Sequence, residues 1–140
     1  MVGCGGVGLS VIQGARLAGA STIVAVDRVA SKLKLAESMG ATAIVDSSTE
    51  DAVAAVRAQT GGRGADYGFE VVGRAETIRT TFGAVRRGGT AVLVGAGSPA
   101  ETVTFSAFEL FVDAKTVRGC VYGSTDADFS CEHGSDLYLG

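Results

Sequence analysis

The chain reads as an α/β domain built on a doubly wound parallel sheet. Three observations predict it. Short β-branched runs alternate with helical segments in the order βαβαβαβαβ, with short connections. The runs Ile23-Val24-Ala25-Val26 and Ala91-Val92-Leu93-Val94 are continuously apolar, as strands covered on both faces are. The first turn, Gly3-Cys4-Gly5-Gly6-Val7-Gly8, reads G-x-G-x-x-G, and Asp27 follows nineteen residues after Gly8.

Right-handed crossovers place six strands in the order 3-2-1-4-5-6, the Rossmann arrangement. Strand 1 is truncated, because only Met1 and Val2 precede the glycine turn, where about 5–6 residues are usual. It lies in the middle of the order, so strands 2 and 4 are expected to face a gap with unpaired backbone groups. The first helix runs from about Gly6 to Gly19, with Val7, Val11, Ala15 and Ala18 as its apolar stripe. Ser21 to Asp27 is strand 2. The second helix starts near Ser31, a favourable N-cap, pairs Leu35 with Met39 and stops at Gly40. Ala43-Ile44-Val45 is strand 3. Ser47 and Glu50 have the spacing of a capping box, opening a helix that turns Val53 and Val56 inward and ends near Thr60-Gly61.

Gly61-Gly62-Arg63-Gly64 leads into strand 4, Asp66 to Val72. The fourth helix carries Ile78, Phe82 and Val85 on one face. Arg86-Arg87-Gly88-Gly89 is a turn with solvated arginines, and Thr90 to Gly95 is strand 5. Ser106 to Phe111 is a short helix, with Phe105, Phe108 and Phe111 on one side. Thr116 to Tyr122 is strand 6. Residues 1–124 therefore read as an incomplete dinucleotide-binding domain, and residues 125–140 as a polar tail to which the sequence assigns no structure.

Composition narrows the function. With 140 residues, 46% of them hydrophobic and 19% charged, the chain can build one buried core and is not disordered. A net charge of −3 provides no basic footprint for nucleic acid. No apolar run approaches the roughly 18 residues of a membrane span, and the glycine-rich start is not a signal peptide. Cys4, Cys120 and Cys131 form no pairing pattern, which predicts free thiols and a reducing, cytoplasmic setting.

The glycine turn predicts a pyrophosphate site. Gly3 allows the tight turn, Gly5 lets the phosphate approach the backbone, and Gly8 lets the helix pack closely. The phosphate would meet free N–H groups at the positive end of the helix. A carboxylate at Asp27 accepts ribose hydroxyls and repels a 2′-phosphate, so NAD is expected over NADP. Arg28 reads as a solvated strand-end residue in preference to a contact for a 2′-phosphate, and Lys32 as either a ribose contact or a surface lysine. Cys4, beside a helix N-terminus, is expected to have a lowered thiol pKa and to serve as a small buried filler. Glu70, a charge inside an apolar strand, is either bonded to backbone or a site acid; with no His or Lys beside it, the first reading is preferred. Cys131-Glu132-His133 offers too few ligands for a tetrahedral metal. No catalytic constellation is visible, and a methyltransferase-like domain fits the glycine spacing poorly.

The blocks GCGGVGLSVIQGARLAGASTIVAVD, SKLKLAESMGATAIVD, GADYGFEVVGR, GGTAVLVGAGS and KTVRGCVYGS resemble the cofactor domain of zinc-type medium-chain alcohol dehydrogenases. The glutathione-dependent formaldehyde dehydrogenase class is the nearest, and the resemblance covers residues 1 to about 124. It implies hydride transfer between a small alcohol or aldehyde and NAD. By position it implies that Gly3, Gly5, Gly6, Val7 and Gly8 hold the pyrophosphate and that Asp27 and Lys32 hold the ribose. Val71, Val72 and Arg74 would border the adenosine half, and Val94, Gly95 and Ala96 would hold the nicotinamide. Tyr122 would meet the carboxamide through its main chain. A homodimer through strand 6 is implied as well. The catalytic zinc of the family lies in a separate domain ahead of strand 1. The chain is thus expected to be truncated at both ends, with no catalytic or metal residues of its own. The alternative reading is a non-catalytic nucleotide-binding module.

Overall fold

The computed structural model describes residues 1–124. Helices and parallel strands alternate: α1 (Gly6–Leu17), β1 (Val24–Asp27), α2 (Ala30–Ser38), β2 (Ala43–Asp46), α3 (Ala52–Gln59), β3 (Ala65–Glu70), α4 (Ala75–Ala84), β4 (Val85–Leu93), α5 (Ala107–Asp113) and β5 (Thr116–Gly119). β1 pairs with β2, and β3 with β4 and then β5, all parallel. The two halves meet through Val2, which bridges Val26 on one side and Glu70 on the other. Reading Val2 as the stub of strand 1, the order is the 3-2-1-4-5-6 expected from the sequence.

The alternation of side chains along β1 builds both layers. Ile23 and Ala25 pack with Cys4, Ile12, Leu33 and Ala36 against α1 and α2. Val24 and Val26 pack with Val2, Val45, Ala52, Val56 and Ala84 against α3 and α4. One strand buried on both faces thus serves two cores, which is why its sequence is apolar throughout.

The stub is held at each residue. Val2 N–H donates to Phe69 O at 2.8 Å and Val71 N–H to Val2 O at 3.1 Å. Val26 N–H donates to Met1 O at 2.8 Å, and Met1 N donates to Val24 O at 2.9 Å. Beside Met1, between β1 and the first half of β3, lies an apolar cavity of about 960 Å³ lined by Val11, Ile12, Ala15, Val24, Tyr67 and Phe69 among others. The buried stripe of the first helix differs from the expected one: Val11 and Ala15 are half-buried beside this space, Val7 is exposed, and the residues buried along α1 are Gly8 and Ile12.

α1 ends at Leu17 with Ala18 as its C-cap, and Gly19, in the left-handed region at φ 78°, ends it as the expected C′ residue. Several other local expectations are corrected. α2 starts at Ala30 after Val29, not at a Ser31 cap, and buries Leu33 and Ala36 while Leu35 is exposed. The Ser47–Glu50 capping box does not form. Asp46 Oδ1 accepts the Ser48 N–H at 2.9 Å and holds this stretch as a turn, and Asp51 caps α3 by accepting Ala54 N–H at 2.8 Å. Strand 4 ends at Glu70 and strand 6 at Gly119, both short of their expected ends. Val85 leaves the fourth helix to begin β4. Residues 86–89 interrupt the β3–β4 register, and Arg86 there bonds Asp66 at 2.5 Å instead of being fully solvated.

Candidate functional site

The C-terminal ends of the central strands, where such sheets bind their ligands, gather four loops. Gly5 caps α1 in an extended conformation, and among the described residues no side chain accepts from the first-turn N–H groups of the helix, which also carries no acidic residue there. The N–H groups of Gly6, Val7 and Gly8 have no intrahelical acceptor. A Cβ built on Gly5 or Gly6 meets nothing within 4 Å, so the bare backbone there faces open space. A Cβ on Gly8 would lie 1.9 Å from Gly3 O, so Gly8 serves the approach of helix to loop. Gly3 has φ 96° and packs under Val72 and Val71. A loop with free donors, open to solvent and lacking side-chain bulk, fits a dinucleotide pyrophosphate.

Asp27 ends β1 beside this loop. Its Oδ2 accepts the Cys4 N–H at 2.7 Å, and its Oδ1 accepts the N–H groups of Arg28 and Val29 at 2.7 and 3.0 Å. Three acceptances leave about one of the carboxylate's roughly four lone-pair directions free for a hydroxyl. Asp27 is half-buried, while Arg28 and Lys32 are exposed. Cys4 is buried, and its thiol donates to Val26 O at 3.6 Å. Burial first, and the Asp27 charge second, push the Cys4 pKa up to about 11. The expected lowering is therefore corrected: the helix end does not outweigh desolvation and a neighbouring carboxylate. The role of Cys4 as a filler stands.

The β3 and β4 ends meet backbone to backbone. A Cβ on Gly95 would lie 2.3 Å from Gly73 N and 2.6 Å from Val72 N. One on Gly73, at φ 82°, would lie 2.4 Å from Gly97 N and 2.7 Å from the Ala96 carbonyl carbon. Val94 and Gly95 N–H both donate to Glu70 O, at 2.8 and 3.0 Å. Arg74 precedes α4, is exposed and caps nothing; Glu101 instead accepts the Ala75 N–H at 2.7 Å. The structure thus brings together Gly3, Gly5, Gly6, Val7, Gly8 and Asp27 with Val71, Val72, Val94, Gly95 and Ala96. Tyr122 lies just past Cys120, whose N–H donates to Leu93 O at 2.8 Å; it is 95% exposed, at φ 47° in a short turn after β5.

Sequence reasoning missed Gly73 and Gly97, whose spacing matches no motif, and the bond from Cys4 to Asp27, which joins residues 23 apart in sequence. Glu70 is bonded to backbone, the reading preferred from its apolar surroundings. Among the described residues no three His, Cys, Asp or Glu side chains stand close enough to hold a metal. Cys131-Glu132-His133 lies outside the described residues.

Residues 6–133 match the zinc-binding dehydrogenase family. The chain belongs to that family. It is 35% identical over 130 residues to the NDMA-dependent alcohol dehydrogenase of Amycolatopsis methanolica, covering 91% of this chain and 35% of the relative. It is 34% identical over 123 residues to the S-(hydroxymethyl)glutathione dehydrogenase of Synechocystis sp. (strain ATCC 27184 / PCC 6803 / Kazusa), covering 86% of this chain and 33% of the relative. Among solved structures, benzyl alcohol dehydrogenase from Acinetobacter calcoaceticus superposes with a TM-score of 0.92 at 36% identity, over 98% of this chain and 38% of that one. A zinc-binding dehydrogenase from Sinorhizobium meliloti 1021, bound to NADP, superposes with a TM-score of 0.84 at 35% identity, over 97% of this chain and 39% of that one. This zinc-binding dehydrogenase chain spans about a third of the length of the curated relatives it matches. No helix of the described residues is long and apolar enough to cross a membrane.

Proposed function

We propose that this chain is the NAD(H)-binding portion of a cytoplasmic, zinc-dependent alcohol dehydrogenase, with residues 1–124 as its nucleotide-binding unit. The observation that carries the reading is the uncapped first turn of α1, open at Gly5 and Gly6, with Asp27 tied to the same loop. The pyrophosphate lies on the N–H groups of Gly6, Val7 and Gly8. Asp27, with Lys32 beside it, takes the adenosine ribose. Val71, Val72 and Arg74 flank the adenosine half, and Val94 to Ala96 and Tyr122 the nicotinamide half. Bound NAD supplies a hydride acceptor, and this chain orients its rings against a substrate held elsewhere. The described residues offer zinc no donor set. The substrate class is a small alcohol or aldehyde, and the Synechocystis relative supports the glutathione-dependent formaldehyde dehydrogenase class as nearest.

Calorimetric titration with NADH tests the reading. Micromolar binding is expected, weakened about ten-fold or more in Asp27→Ala, as loss of a hydrogen-bonded charged acceptor predicts. Equal heats from both proteins would remove Asp27 from the site. NADPH is expected to bind more weakly than NADH because its 2′-phosphate meets the Asp27 carboxylate, and the reverse order would overturn the choice of NAD. A homodimer through the β5 edge is also proposed. It is supported by the exposed apolar residues Phe108, Phe111, Val121 and Tyr122 around that edge. Sedimentation at the mass of one chain would sink it.

A further inference from the structure

Glu70 is fully buried, at 0% exposure, where β3 ends. One of its oxygens, Oε1, accepts three hydrogen bonds: from Val72 N at 2.8 Å, Gly73 N at 2.8 Å and Thr77 Oγ1 at 2.7 Å. The other, Oε2, is buried without a hydrogen-bond partner among the described residues. The main chain of Glu70 is engaged as well. Its carbonyl accepts Val94 and Gly95 N–H, and Val2 bridges it from the stub ahead of the glycine loop. The loop that Oε1 closes packs Val71 and Val72 over Gly3 and presses Gly73 against Ala96 and Gly97. All three loops that form the floor of the cleft are therefore referred to a single residue.

We propose that Glu70 is a positioning residue for the nucleotide. Its carboxylate touches no cofactor. It fixes the loop 71–74, and through that loop the spacing between the glycine turn and segment 94–97. The physical case is the cost of the alternative. Gly73 can meet Gly97 closely only while its backbone stays at φ 82°, and the two N–H groups that hold this turn have Oε1 as their acceptor. Bonds to a carboxylate are about twice as strong as neutral ones. Removing the acceptor leaves buried donors unpaired, which the turn escapes only by opening. This inference rests on the nucleotide reading above, and its test has one arm that does not.

The experiment compares the parent chain with Glu70→Met, which keeps the side chain's length and removes the acceptor, and with Glu70→Gln, which keeps an acceptor oxygen. Amide hydrogen exchange is followed residue by residue, and NADH affinity is measured well below the melting temperature. Glu70→Met is expected to speed exchange at Val72 and Gly73 about 100-fold and to weaken NADH about ten-fold, while Ala25 and Val45 in the sheet keep their protection. Glu70→Gln is expected to recover most of both losses, a rescue that loss of general packing would not produce. Unchanged protection at Val72 and Gly73 in Glu70→Met overturns the proposal. So does freed exchange there with unchanged NADH affinity. Should Glu70→Met not fold, Glu70→Gln alone decides, since a neutral acceptor still predicts faster exchange confined to the amides of Val72 and Gly73. A parent chain that binds no NADH overturns the nucleotide reading, and the exchange arm then decides whether Glu70 holds the loop.

Discussion

Gly5 and Gly8 stand three residues apart in one turn, yet they are required for different reasons. The Cβ that Gly8 lacks would fall 1.9 Å from a backbone carbonyl, whereas that of Gly5 would meet nothing. Gly8→Ala is therefore expected to cost about 3 kcal/mol or more, since backbone cannot give way as a side chain can, and to lower the melting temperature by roughly 10 °C. Gly5→Ala is expected to leave melting within about 2 °C while weakening NADH, because its methyl group enters only the space assigned to phosphate. Thermal melts and titrations on the two proteins separate these roles; a Gly5→Ala protein that binds as well as the parent would move the phosphate elsewhere. Cys4 gives a further check. With its pKa raised to about 11 and its thiol buried, it is expected to resist iodoacetamide at pH 8 in the folded chain and to react once guanidinium is added. Rapid native labelling of Cys4, located by peptide mass, would contradict the burial.

Two of the serine–glutamate pairs at i, i+3 show how far spacing reaches for an element. Ser47–Glu50 and Ser106–Glu109 are equally spaced, and only the second pair forms a capping box. At the first, backbone carbonyls already take the donors the box would use: Ser47 N–H donates to Asp27 O at 3.0 Å and Glu50 N–H to Asp46 O at 3.2 Å. At the second, Arg79 on α4 holds Glu109 in place with two bonds, at 2.7 and 3.1 Å. α5 is thus capped from within its sequence and anchored from outside it. Ser106→Ala is expected to cost about 1 kcal/mol, read as a shift in denaturation midpoint. The Arg79 bonds first, and Ser106 N–H second, hold the Glu109 carboxyl below its ordinary value of 4.5. A lowered carboxylate stabilises the fold at pH above its unfolded value and loses that contribution as pH falls through the folded one. The melting gap between the parent and Glu109→Gln is therefore expected at pH 7 and should close below pH 4.5. A gap that does not narrow as pH falls further below 4.5 would show that the charge of Glu109 is not its source.

For the molecule as a whole the decisive feature is the middle of the sheet. Among the described residues Val2 alone bridges β1 and β3, and about 960 Å³ of apolar space opens beside it. β3, on the other side of Val2 from β1, exposes Asp66 and Tyr67, and both line this space. Placing four β-branched residues ahead of Met1 is expected to continue both ladders, cover Val11, Ala15 and Tyr67, and raise the melting temperature by about 5 °C or more. A charged tetrapeptide in the same place should give no such gain. If the two extensions behaved alike, the space would not be a strand position.

The sequence alone determined the alternation of elements, the strand order, the glycine turn and the acid that follows it. These are local patterns, set by side-chain periodicity and by backbone geometry that glycine permits. The tertiary structure decided what the patterns are tied to. Cys4 N–H finds Asp27, Val72 and Gly73 N–H find Glu70, and Gly73 meets Gly97. It decided too which face of α1 is buried and whether a thiol beside a helix end is lowered or raised. Each of these depends on distances between segments far apart in the chain, and on burial, which no residue spacing encodes.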